Sequence, residues 1–188
     1  MSTSAIKPEL ITHTIQNLQA AHNGEHNAHL RYLAFAKKAD EEGYCQVAAL
    51  FRAAARAECI HAENHARVIE KLGAKPNAPM EETPVRSTRE NLMAAIEGET
   101  YERDIMYPEF LHIAEREKVP AAVRTFQYAL EAETEHARLF ADALGNLPKM
   151  TRKTAYYVCV VCGFTAEQAD FSRCPVCNNP KERFEVIE

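Results

Sequence analysis

Two Glu-x-x-His motifs occur in the same sequence setting, and no other pattern in the 188 residues limits the possible folds as strongly. Glu58-x-x-His61 follows a Gly-Glu pair by 33 residues, and Glu133-x-x-His136 follows another by 34 residues. Residues three apart are neighbours on a helix, so each motif places a carboxylate and an imidazole on one face. The duplication predicts a pseudo-two-fold site built from equivalent halves.

Four long helical stretches carry these motifs, at about residues 8–41, 44–72, 88–118 and 120–144. Glycines or prolines lie at most of their ends, as is typical of helix caps. The connection at residues 74–87 contains three prolines and is long enough to cross a bundle, whereas the other two connections are tight. We therefore predict an all-α four-helix bundle with one long crossover.

Seven potential metal ligands lie near the middle of these helices. They are Glu25, Glu58, His61, Glu99, Glu102, Glu133 and His136. The midpoints of antiparallel helices share one level of a bundle, so these side chains converge there. A single helical Glu is usually solvated, but five carboxylates buried at one level would repel one another without a cation. Two equivalent half-sites predict two first-row metal ions, with iron the leading candidate.

The C-terminal tail, residues 155–188, differs in composition. Cys159-x-x-Cys162 and Cys174-x-x-Cys177 are two knuckles separated by eleven residues. Four thiolates at this spacing fit zinc or a single iron, and a reducing compartment favours metal over disulfides. A tail of this length is too small to be stabilised by an apolar core alone, and we therefore expect a domain stabilised by a bound metal. The bundle domain is expected over residues 1–147.

Charge and hydropathy narrow the possible partners. The net charge of −5 and the isoelectric point near 5.9 argue against an unspecific binder of nucleic acid or anionic membranes. No apolar run approaches the ~20 residues that span a bilayer, and residues 1–10 lack the apolar core of a secretory signal. We therefore expect a cytoplasmic protein that binds neither nucleic acid nor membrane.

Together these motifs resemble the rubrerythrin family over nearly the whole chain. The resemblance rests on the two Gly-Glu pairs, the two Glu-x-x-His motifs, Glu99-x-x-Glu102, Met106-Tyr107-Pro108 and the cysteine knuckles. It implies a ferritin-like di-iron bundle followed by a rubredoxin-like β domain. The implied cofactors are two iron ions in the bundle and one iron ion on the four cysteines.

The resemblance also implies roles for the bundle ligands. The glutamate of each Glu-x-x-His motif would bridge the two irons. Glu25 and Glu102 would bind one iron, and Glu99 and His136 the other. His61 would replace Glu102 when the first iron is reduced and shifts.

Two tyrosines and several further side chains surround this site. Tyr32 lies seven residues after Glu25 on the same face, and Pro108 should kink or bulge the third helix and turn Tyr107 inward. The resemblance places both tyrosines beside the irons, and with Glu102 and His61 they are the candidate catalytic residues. The remaining polar candidates are interpreted as supporting or surface histidines and as ordinary small apolar cysteines: His22, His26, His29, His65, Cys45 and Cys59.

The function implied by the resemblance is reduction of hydrogen peroxide to water. An electron-entry domain favours a peroxidase over a ferroxidase, which draws electrons from its substrate; a non-catalytic electron-transfer module is the third alternative. No nucleotide-binding glycine motif is present, so the donor, a rubredoxin or an NAD(P)H-linked reductase, must be another chain. A tail at the end of its own helix would lie about 20 Å from mid-helix irons, so we expect a homodimer with electron transfer between subunits. The resemblance implies that the two chains pair head to tail.

Overall fold

The computed structural model describes residues 12–188, which form a helical bundle and a small antiparallel sheet. The helices are α1 (Thr12–Glu41), α2 (Cys45–Lys71), α3 (Thr88–Tyr101), α4 (Tyr107–Arg116) and α5 (Pro120–Gly145). The strands are β1 (Tyr156–Cys159), β2 (Thr165–Ala166) and β3 (Phe184–Ile187), in the order β2-β1-β3. None of the described helices is both long and apolar enough to cross a membrane.

The predicted fold class is confirmed: a four-helix bundle with one non-helical crossover precedes a small β domain. The predicted beginning of the first helix near residue 8 lies outside the described residues. Ser87 caps α3, since its side chain accepts from the Glu90 amide while the Glu90 carboxylate accepts from the Ser87 amide.

The third helix of the bundle is interrupted by a π-helical turn, Glu102–Met106, which separates α3 from α4. The Tyr107 amide donates to the carbonyl of Glu102, five residues back. Pro108 follows at once and has no amide to donate, so the ordinary helical ladder cannot continue unchanged through this point. The bulge that the sequence predicted is therefore present; it contains the predicted site residue Glu102 and is followed directly by Tyr107.

Two apolar clusters occupy the bundle on either side of a polar layer. One contains Phe35, Phe51 and Phe140, and the other contains Leu18 and Phe126. Along α1, α2 and α5, the buried glutamates and histidines lie between the residues that belong to the two clusters. The apolar clusters thus hold the polar layer away from the ends of the bundle.

The tail packs along the side of its own bundle. The chain turns back after α5, where the Gln46 amide donates to the Met150 carbonyl, and Tyr156 then packs into the larger apolar cluster. Arg56 on α2 forms an ion pair with Glu185 on β3, at 2.8 Å. The expectation that a tail on its own bundle would lie at the helix end is therefore wrong, because these contacts draw it back along α2. A homodimer stays a prediction.

Candidate metal centres

Six fully buried side chains form two overlapping groups in the polar layer. The ligand atoms within each group all lie within 4.8 Å of one another. The groups are Glu25, Glu58, His61 and Glu133, and Glu58, Glu99, Glu133 and His136. Glu58 and Glu133 belong to both groups, which is the arrangement that two bridging carboxylates need.

Both motif histidines direct Nδ1 towards the carboxylates. His61 Nδ1 lies 2.9 Å from an oxygen of Glu58 and 2.9 Å from an oxygen of Glu133. His136 Nδ1 lies 2.8 Å from the other oxygen of Glu133 and 3.3 Å from the other oxygen of Glu58. The two imidazoles therefore approach the same pair of carboxylates from equivalent positions.

The outer nitrogens of both imidazoles contact the tail. His61 Nε2 lies 3.0 Å from the carbonyl oxygen of Cys162, which can only accept, so Nε2 carries the proton. His136 Nε2 lies 3.0 Å from the hydroxyl oxygen of Thr165, whose own proton is donated to the Gly163 carbonyl. Both histidines are thus held as the tautomer that leaves a lone pair on Nδ1.

A lone pair that faces carboxylate oxygens at such distances is repelled by them unless a proton or a metal ion lies between the atoms. Buried atoms of this layer also lack hydrogen-bond partners: one oxygen each of Glu25, Glu58 and Glu99, both oxygens of Glu133, and Nδ1 of His136. Unpartnered polar atoms are costly to bury. Oxygen and imidazole donors suit iron, so the residues present fit two iron ions.

The pKa shifts in this layer have the same physical origin. Burial, and then the charges of Glu58 and Glu133, raise the pKa of Glu99 to about 8. Burial followed by Glu133 and Glu58 also raises the pKa of Glu25. Burial alone would lower the pKa of His61, but the same two carboxylates outweigh it and raise this pKa to about 10. The layer therefore retains protons unless metal ions compensate its charge.

Glu102 is not part of either group. It opens the π-helical turn and is only half-buried, and burial followed by the charges of Glu99 and Glu133 raises its pKa. His61 occupies the place beside Glu25 instead. This geometry corresponds to the arrangement that the family resemblance assigns to the state in which His61 has replaced Glu102.

The two predicted tyrosines contact opposite halves of the layer. The Tyr32 hydroxyl donates to Glu99 at 2.5 Å, and the Tyr107 hydroxyl donates to Glu25. Burial, and then the carboxylates nearby, raise the pKa of both phenols, so both stay protonated donors. The bulge before α4 places Tyr107 inward, as its position before Pro108 predicted.

The extra histidines have separate roles. His22 and His29 contact backbone carbonyls of α2 at 3.0 and 2.7 Å, which is a supporting role as expected. His65 is fully buried, with Nε2 3.2 Å from the Tyr107 hydroxyl and Nδ1 3.0 Å from the Thr125 hydroxyl. The sequence analysis did not single out Thr125, since a threonine on a helix carries no signal for such a contact.

The four tail cysteines converge as the spacing predicted. Their sulfur atoms lie within 4.8 Å of one another and none forms a disulfide. Each knuckle closes on an amide-to-carbonyl hydrogen bond of 2.9 Å, followed by a left-handed residue, Gly163 at φ +80 or Asn178 at φ +57. Asn178 can make this turn because asparagine tolerates positive φ better than most residues. The set suits a single iron bound by four thiolates.

A four-helix bundle around two Glu/His groups that share two carboxylates, joined to a tetracysteine sheet, defines a ferritin-like di-iron protein with a rubredoxin-like domain. The rubrerythrin family model matches residues 16–144. The chain belongs to the rubrerythrin family, a family of di-iron oxidoreductases, and its donor sets are those of a di-iron centre and a one-iron centre.

Two rubrerythrin-type relatives match more than nine-tenths of this chain. Rubrerythrin-2 of Clostridium acetobutylicum is 38% identical over 178 residues, covering 93% of this chain and 96% of the relative. Nigerythrin of Nitratidesulfovibrio vulgaris is 37% identical over 172 residues, covering 91% of this chain and 85% of the relative. A solved structure of fully reduced, all-ferrous nigerythrin matches with a TM-score of 0.86 at 34% identity, covering 99% of this chain and 88% of that chain.

Proposed function

We propose that this chain is a peroxidase that reduces hydrogen peroxide to water at the di-iron centre and receives electrons through the iron of its tail. The observation that carries this proposal is the hydrogen bond from His61 to the carbonyl of Cys162. One residue belongs to the bundle site and the other to the tetracysteine site, so the two centres are joined through a single contact. A ferroxidase, which takes electrons from its substrate, has no use for such a connection.

The shared position of Glu58 and Glu133 supports their assignment as bridging ligands. Glu25 would complete one iron site with His61 or Glu102, and Glu99 and His136 would complete the other. The four cysteines Cys159, Cys162, Cys174 and Cys177 would hold the third iron. The corresponding units are residues 1–147 and residues 155–188, and the first of these is described from residue 12.

Held by these glutamates and histidines, two Fe(II) ions would supply two electrons and polarise the oxygen atoms of the substrate. The side chains around the site orient the metal-binding carboxylates and keep protons near them while peroxide is reduced. Tyr32 and Tyr107 donate to terminal carboxylates and keep them oriented. Glu102 lies on the bulge at the half-buried edge of the layer, where a carboxylate can exchange places with His61 without opening the apolar clusters.

The electron donor would be a rubredoxin or an NAD(P)H-linked reductase that meets the tail from outside. Tail and bundle of one chain already contact each other, so the proposed route needs no second subunit. A head-to-tail homodimer would place a second tail near the same bundle, and it remains a separate prediction with its own test.

The test is anaerobic reduction followed by one equivalent of hydrogen peroxide, with the absorption of both iron centres recorded. A peroxidase oxidises the bundle iron rapidly and then the tail iron, and an added donor restores both. A ferroxidase would instead consume added Fe(II) with oxygen at a rate that the donor does not affect. A tail filled with zinc would be colourless and would not relay electrons, which would leave only a non-catalytic role for it.

A further inference from the structure

A continuous line of hydrogen-bonding side chains leads from the surface to the polar layer. Thr125 on α5 contacts His65 on α2, His65 contacts Tyr107 on α4, and Tyr107 contacts the carboxylate of Glu25. All four side chains are buried, and the two outer residues are not metal ligands in any assignment above. We infer that Thr125 and His65 form a proton relay that supplies the di-iron site through Tyr107.

The donors in this line all point the same way. The single hydroxyl proton of Tyr107 is donated to Glu25, so its oxygen must accept from His65 Nε2. A neutral imidazole with its proton on Nε2 has an accepting Nδ1, and the Thr125 hydroxyl donates to that atom. Each proton therefore stands one step from an acceptor nearer the metal site.

The outer end of the line lies at the wall of a surface groove. Thr125 borders a surface groove of about 250 Å³ between α2 and α5, which is several times the ~30 Å³ that one water molecule occupies. Besides Thr125 and the apolar Val68 and Ala121, the groove is lined by polar and basic side chains that water can solvate: Asn64, Arg67, Lys71, Arg124 and Tyr128. Groove water can thus replace the proton that Thr125 gives up.

This inference rests on the proposed peroxidase function, because that reaction consumes protons. Hydrogen peroxide, two protons and two electrons give two molecules of water. In the relay, a proton from groove water reaches the Thr125 oxygen while the Thr125 proton moves to His65 Nδ1. The proton on His65 Nε2 moves to the Tyr107 oxygen, and the Tyr107 proton moves to the Glu25 carboxylate, from which the reduction of peroxide to water consumes it. One proton enters the line for each proton that leaves it.

Two substitutions interrupt the line at different points. Thr125→Val removes one hydroxyl and keeps the side-chain shape. His65→Gln keeps an N–H donor for Tyr107, but an amide does not take a proton on one atom and release it from another. The matched control is Thr134→Val on the same helix, whose hydroxyl is exposed and bonded back to the Leu130 carbonyl.

The first measurement does not depend on activity. In the full chain with zinc at both metal sites, ¹⁵N NMR should show His65 protonated on Nε2 and unprotonated on Nδ1. Exchange of that Nε2 proton with water should slow about tenfold or more in Thr125→Val and stay unchanged in Thr134→Val. A His65 protonated on Nδ1, or an exchange rate that Thr125→Val leaves unchanged, overturns the relay.

The second measurement is the single-turnover oxidation of the pre-reduced protein by peroxide in H₂O and in D₂O. Positioned proton transfer contributes roughly 10²–10⁴-fold to rates, so we expect about a tenfold or greater loss in Thr125→Val and His65→Gln, with full bundle iron and an altered solvent isotope effect. Wild-type rates in both variants overturn the relay. If the wild-type protein itself fails to consume peroxide, the proposed function fails, and the NMR exchange still decides the relay.

Discussion

Gly163→Ala is expected to separate the tail from the bundle while both metal sites stay loaded. A Cβ built on Gly163 would overlap Nε2 of His61, its nearest atom, and would lie 2.7 Å from Cδ2 and 3.0 Å from Cε1, whereas ordinary contacts begin near 3.4 Å. His61 is fully buried and held by Glu58 and Glu133 at 2.9 Å, so it cannot withdraw. The tail must move instead.

The size of the effect follows from the contacts that the movement breaks. Raising the distance to Cδ2 alone from 2.7 to 3.4 Å adds 0.7 Å, and relieving the closer overlap with Nε2 needs more. The 3.0 Å bond between His61 and the Cys162 carbonyl is therefore stretched to about 3.7 Å or longer, beyond hydrogen-bond length. The neighbouring bond from Asn64 to the Val161 carbonyl shares this loop and is weakened with it. Two bonds at ~0.5–1.5 kcal/mol each amount to about 1–3 kcal/mol, roughly a 5- to 150-fold shift away from the docked tail.

Gly43→Ala is the matched control, because Gly43 has φ +82 against +80 for Gly163 but has open space around its Cα. Both variants carry the backbone strain of about 1–2 kcal/mol that positive φ imposes on alanine, and only one carries the collision. We expect donor-driven peroxide turnover to fall about tenfold or more in Gly163→Ala alone, with single-turnover oxidation of the pre-reduced bundle unchanged. Equal donor-driven rates in the two variants would refute this reasoning.

Four further predictions concern the same centres. Cys174→Ser should lose tail iron, keep bundle iron, and consume peroxide for one turnover before it stalls; unchanged steady-state turnover in protein shown to lack tail iron would contradict the relay of electrons. Glu102→Ala should retain most bundle iron but turn over slowly, and a wild-type rate would remove Glu102 from the mechanism. Arg56→Ala, which removes a partly exposed ion pair with the tail, should cost only ~0–1 kcal/mol and leave turnover within about fivefold, as stopped-flow assays can check. Mixing Cys174→Ser chains with Glu58→Ala chains tests the subunit route: activity should stay at background if electrons pass within one chain, and recovery in verified heterodimers would establish transfer between subunits.

Much of the site could be predicted because its pattern is local. Helical periodicity fixes which side of each helix carries Glu58 and His61, and equal spacing places the second motif at the same level. The cysteine spacing similarly determines that two knuckles can close around one ion. Pro108 predicted a bulge for the simple reason that it lacks an amide donor.

The remaining features depend on contacts between distant segments, which no local pattern encodes. The side-on position of the tail follows from the return of the chain at Met150 and from the packing of Tyr156, and both rely on partners more than 100 residues away. The contact between His65 and Thr125 joins residues 60 positions apart that are each unremarkable alone. The half-buried position of Glu102 follows from the register of the π-helical turn, which the sequence indicated only as a bulge.

In each of the two motif histidines, Nδ1 faces the carboxylates and Nε2 contacts the tail. Metal binding in the bundle and docking of the tail therefore depend on each other. Partners that orient a metal-binding imidazole typically change metal affinity about 10–100-fold. Thermodynamic linkage then requires metal in the bundle to tighten tail docking by the same factor. Titrating zinc into the bundle of wild-type and Gly163→Ala chains should reveal that factor as a difference in affinity, and equal affinities would show that the halves load independently. Under this coupling, a chain with an empty bundle holds its tail more loosely than a loaded one, so the electron-entry domain docks most firmly where iron is present to receive the electrons.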